Sequence, residues 1–195
     1  MKEQERFKEL DNIVQELRHN IEDHRFYKLY FAPDTDKWDK FCVAMDTLED
    51  TELALAHYFN YGLGRSDEER YLRLYGVQQA VYLQQDAIRA LVEVVLEKKF
   101  EPSADSAWRA IREVRRHIGH PIEVKKAGSV RRTFLTRVYL AMGLVGLITR
   151  DSKKGESEHW GGQLDEVLLA YLAEAIPIVR EIGESVKKRW PLPED

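Results

Sequence analysis

Arg115 and His120 stand five residues apart in the run I-R-E-V-R-R-H-I-G-H-P, Ile111 to Pro121, and their chemistry suits phosphate esters. A guanidinium is a fixed cation that grips phosphate oxygens in a planar fork, and an imidazole takes or gives a proton near neutral pH. Together the two could cleave RNA. On an unbroken helix five residues turn the direction by about 140°, so Arg115 and His120 would not share a face, whereas Arg116 and His120 would. A helix that stops at Gly119 frees His120 to swing toward a phosphate that the long Arg115 side chain also reaches. The same letters have a plainer reading, because a basic last turn followed by glycine and proline is how ordinary helices end.

The surrounding charge strengthens the phosphate reading. From Arg109 to Arg137 nine Lys or Arg face Glu113 and Glu123, a local charge of +7 within a chain of net charge −4, which leaves −11 for the rest. An acidic body thus carries one basic strip, a field that attracts phosphates, although a solvated helix and loop would show the same letters.

Other chemistries recede. The six histidines include no H-x3-H or H-E-x-x-H spacing, and with one cysteine there is no paired-thiol site, so no metal is expected. Neither a glycine-rich phosphate loop nor a G-x-S-x-G elbow is present, and no cofactor is implied. The charged N-terminus lacks a signal-peptide core, and the longest apolar run, Leu140 to Ile148, is too short to cross a bilayer. Cys42 alone cannot close a disulfide. These features lead to the expectation of one soluble cytoplasmic unit over residues 1–195.

The elements that must hold the pair are mostly helical. Phe7, Leu10, Val14, Leu17 and Ile21 form one stripe of an amphipathic N-terminal helix from about Lys2 to Tyr30, stopped by Pro33. A second helix spans about Thr35 to Tyr61 and closes at Gly62 and Gly64. Ser66 and Glu69 form a capping box for a third that runs to about Lys99, with two amide pairs, Gln78-Gln79 and Gln84-Gln85, in its middle. These amides either hydrogen-bond inside the bundle or touch a substrate.

Ser103 or Asp105 caps a fourth helix whose stripe is Trp108, Ile111, Val114 and Ile118. Within 130–150 the β-branched and aromatic residues predict a β-hairpin turning at Met142-Gly143, with a buried helix as the alternative. Residues 151–158 read as a polar loop, and a last helix starting near Gly162 contains Pro177, which should kink it. The fold class expected is mainly all-α, an antiparallel helical bundle with a small β-hairpin insertion.

The run I-R-E-V-R-R-H-I-G-H-P resembles the signature of HEPN domains, helical bundles whose fourth helix carries Arg, a polar residue, three further residues and His, often followed by Pro. Arg115, Arg116 and His120 match those positions, although the polar residue is usually Asn, His or Asp rather than arginine. Tyr75 to Ile88, Y-G-V-Q-Q-A-V-Y-L-Q-Q-D-A-I, is also similar to a second stretch of HEPN-like chains. The resemblance implies a HEPN-like core over about 35–190, and a homodimer with both Arg-His pairs lining one cleft. It also implies a metal-independent endoribonuclease of the toxin or phage-defence type, with an antitoxin partner. Arg115 and His120 would be catalytic, and Arg112, Arg116 and His117 would contact the RNA. The alternatives are a non-catalytic module that binds RNA, a nucleotide or a protein, and a structural dimerisation domain.

Overall fold

The computed structural model describes residues 2–22, 24–119, 123–126, 128–153, 155 and 157–191. Its described elements run α1 (Lys2–Glu22), α2 (His24–Tyr30), α3 (Thr35–Tyr61), α4 (Asp67–Leu96), α5 (Ala107–Gly119), β1 (Val124–Lys126), β2 (Ser129–Leu135), α6 (Arg137–Ala141), β3 (Val145–Asp151), β4 (Ser157–Gly162) and α7 (Leu164–Arg189). The chain is mainly α, with a small antiparallel sheet. Among the described residues no helix is long and apolar enough to cross a membrane.

Helix ends follow the local chemistry. The Asp34 side chain accepts from the Lys37 backbone N–H, and Gly62 closes α3 at φ 59°, a conformation that glycine adopts without cost. Ser66 and Glu69 form the reciprocal capping box of α4. The start of α5 departs from expectation. Neither Ser103 nor Asp105 caps it; Ser106 Oγ accepts from Arg109 N, and Glu174 of α7 accepts from Ala107 N at 2.7 Å and Trp108 N at 2.9 Å. A carboxylate from another helix thereby occupies the positive end of the α5 dipole.

Cross-helix pairs fix the packing directions. Phe7 packs near Phe59 while Arg18 reaches Asp46 and Glu49, and Lys37 reaches Glu97 while Lys40 reaches Glu93, so α1 runs antiparallel to α3 and α3 antiparallel to α4. The Arg180–Glu9 and Lys187–Glu16 pairs set α7 parallel to α1. Between these helices lies one apolar core that includes Leu10, Leu48, Ile88, Trp108, Leu172 and Val179. Gln85 Nε2 donates to the Trp108 carbonyl and Tyr171 Oη donates to Gln84 Oε1, both at 2.9 Å, so α4 grips α5 and α7 through buried amides. Both polar atoms of these two bonds are thereby satisfied, whereas Gln84 Nε2 is buried without a partner among the described residues.

The sheet is a meander in the order β1-β2-β3-β4. The β2–β3 pairing is the expected hairpin, with Thr133 opposite Thr149, but its ends are joined by α6 and a turn at Gly143, φ 77°, rather than by a two-residue turn. Gly146 allows this path, since a Cβ there would collide with the Tyr139 ring. The polar stretch expected to be loop extends into β4 from Ser157, paired along β3. At the other end, α7 runs continuously through Pro177.

Candidate functional site

The helix α5 shows different chemistry on its two sides because successive residues are rotated by about 100°. Toward α4 it carries Arg112 and Arg115, whose guanidinium carbons each lie 4.2 Å from the centroid of the Tyr82 ring. Such cation–π contacts orient a guanidinium while leaving its N–H fork available. Arg115 Nη2 donates to Gln79 Oε1 at 3.0 Å, and Arg112 Nη1 donates to Asp86 Oδ1 at 2.9 Å and Gln85 Oε1 at 3.3 Å. The polar centre of α4 is therefore the platform for these arginines. Gln78, its neighbour, is buried with both side-chain polar atoms unpartnered among the described residues.

Carboxylates neutralise most of the nearby cations. Arg112 pairs with Asp86, Arg116 with Glu113 at 3.5 Å, Arg131 with Glu158 at 2.8 Å, and Arg132 with Glu123 at 3.1 Å. Arg115 differs: its contacts among the described residues are a neutral amide and an aromatic ring. Among the described residues its charge is held in place without a carboxylate to cancel it.

The opposite side of α5 faces the sheet. His117 Nδ1 lies 3.2 Å from Thr133 Oγ1, which in turn lies 2.9 Å from Thr149 Oγ1. His117 and Thr149 border a cleft of about 420 Å³ between α5, the sheet and α7, floored by Val114, Leu147 and Val167 and rimmed also by His159 and Trp160. Arg131 crosses its edge, with Nη2 donating to both Glu158 oxygens at 2.8 Å.

The structure thus brings Arg112 and Arg115 together over Tyr82, leaves Arg116 exposed beside Glu113, and turns His117 toward β2. His120 lies outside the described residues. Sequence reasoning missed Tyr82 and the His159–Trp160 rim. Helical spacing carried a signal for Tyr82, because Gln79, Tyr82 and Asp86 fall on one face at steps of three and four. The strand β4, S-E-H-W-G-G, has no apolar alternation from which its pairing could be read. Among the described residues no three His, Cys, Asp or Glu side chains converge to hold a metal ion. No family model matches the chain, and no curated protein or solved structure does.

Proposed function

We propose that this chain is a metal-independent endoribonuclease of the HEPN type, working in the cytoplasm as a homodimer in which two copies of the α5 end form one RNA cleft. The observation that carries the reading is the state of Arg115, oriented by Gln79 and Tyr82 yet left without a carboxylate partner among the described residues. An oriented, uncompensated guanidinium is what a phosphate needs. His120, five residues on, takes the proton of the RNA 2′-OH as that oxygen bonds to phosphorus. The bond to the 5′-oxygen breaks, leaving a 2′,3′-cyclic phosphate and a 5′-hydroxyl that takes its proton from solvent. Arg115 stabilises the charge gained by the phosphoryl oxygens.

Arg112, Arg116 and His117 add phosphate contacts at the same helix end, His117 with its Nδ1 3.2 Å from Thr133 Oγ1. The toxin reading further implies an antitoxin that covers this basic end. A second reading, RNA binding without cleavage, has one feature in its favour: Arg116 occupies the position where the resembled family carries Asn, His or Asp.

Incubation of single-stranded RNA and the matching DNA with purified protein in EDTA tests both readings. RNA should be cut and DNA survive, since DNA lacks the nucleophile. His120→Ala should lower the rate by about 10² to 10⁴ and keep most RNA affinity, whereas Arg115→Ala should weaken both. Binding without cleavage by the unmodified protein would assign it to the second reading.

A further inference from the structure

The acidic part of the molecule contains a cleft of about 700 Å³ between α1 and α3. Asp11 and Glu22 from α1 and Asp46, Glu49, Asp50 and Glu52 from α3 line it, with Arg18 as its one cation among the described residues. Arg18 is already committed, donating from Nε to Glu49 at 2.8 Å and from Nη2 to Asp46 at 2.5 Å. Among the described residues no other cation lines the cleft to oppose the remaining carboxylates.

Glu52 is the unusual member. The residue is 3% exposed, and its Oε1 is buried without a hydrogen-bond partner among the described residues. A buried carboxylate in a folded protein is ordinarily paired, because leaving it alone forfeits its hydration. Here its neighbours add repulsion. Phe7 and Leu53 supply apolar wall to the same cleft.

A hydrated metal ion does not suit this arrangement, since no three carboxylates converge to ligate one among the described residues. The acids are instead spread along the cleft: Asp11 and Glu22 are separated by about 16 Å of helix rise. Such spacing suits a long ligand carrying several positive charges joined by apolar links.

We propose that the α1–α3 cleft binds a linear aliphatic polyamine, with an ammonium group meeting Glu52 and the methylene chain lying against Phe7 and Leu53. The outer carboxylates take the remaining ammonium groups. Binding is coupled to a proton. Burial, reinforced by Asp11 and Glu49, pushes the Glu52 carboxyl up to about 8, so near pH 7 the empty site holds a proton that an arriving ammonium displaces into solvent. Affinity should therefore rise by up to about tenfold per pH unit toward pH 8, and fall again once the amines deprotonate near the ordinary lysine range of about 10.

Spermidine is the probe, titrated calorimetrically near pH 7 at physiological salt in two buffers of different ionisation enthalpy. The expected result is saturable binding with release of up to about one proton per site. Glu52→Gln, which keeps the shape and removes the charge, should weaken binding by at least about tenfold and abolish proton release. Glu184→Gln, at an exposed acid of α7, should change neither. Absence of saturable binding would overturn the proposal. So would equal binding by Glu52→Gln, equal competition by Mg²⁺, or proton-releasing capture of a lysine peptide in place of spermidine.

Discussion

Arg115 and Glu52 each sit among charges of their own sign, one at the basic end of α5 and the other in the acidic cleft between α1 and α3. At the α5 end, Arg112 and Arg116 are paired with Asp86 and Glu113, while Arg115 lies over Tyr82 and is only half-buried. Like charges there are tolerated because water and nearby carboxylates screen them. In the acidic cleft the fold has removed Glu52 from water, and its Oε1 has no hydrogen-bond partner among the described residues. Burial, more than the neighbouring charges, is what raises the Glu52 carboxyl. In the two readings proposed above, Arg115 holds an anion and Glu52 exchanges a proton for a cation.

The largest test of this contrast is the pH dependence of stability. With the Glu52 carboxyl raised from 4.5 to about 8, both folded and unfolded chains carry its proton below about pH 4.5, and neither does well above 8. Between those limits only the folded chain does, so this group's contribution to stability falls as pH rises, by up to about 1.4 kcal/mol per unit. Glu52→Gln should remove that slope and raise stability near pH 8 by about 4 kcal/mol, with little change near pH 4. Urea midpoints at the two pH values measure it, and parallel midpoints for the two proteins would show that the carboxyl finds a partner on folding.

A smaller effect is expected on the basic side, where the amides of α4 hold the arginines. Gln85→Ala removes the donor to the Trp108 carbonyl and an acceptor for Arg112, and should cost about 1–3 kcal/mol in denaturant unfolding. RNA affinity should fall with it if the α4 platform orients the guanidinium groups. Least consequential is Arg116→Ala. Both partners of the Arg116–Glu113 pair are more than half exposed, so the change in stability should stay within about 0.5 kcal/mol by thermal or urea unfolding. A larger loss would mean that screening at the α5 end is weaker than the geometry implies.

Much of the helical frame was legible from local letters. Pro33 and Gly62 bracket α3 at Thr35–Tyr61, and Ser66 with Glu69 marks the start of α4, because turn and cap chemistry acts within a few residues. The β2–β3 hairpin was legible from β-branched enrichment. The capping of α5 was not, since Glu174 lies 66 residues away from Trp108 and no local spacing announces it. Nor was β4, whose strand character comes from backbone pairing with β3 rather than from an apolar pattern.

The candidate sites divide the same way. By itself the sequence determined the residue types of the basic strip, the Arg115-to-His120 spacing and the amphipathic stripe of α5, all consequences of one chain segment and its helical period. Only the tertiary structure decided that Gln79 and Tyr82 hold Arg115, that His117 turns to Thr133, and that Glu52 is buried between two helices. The physical reason is that solvent exclusion and partner geometry belong to surfaces made by distant segments, and the energy of a charge depends on both.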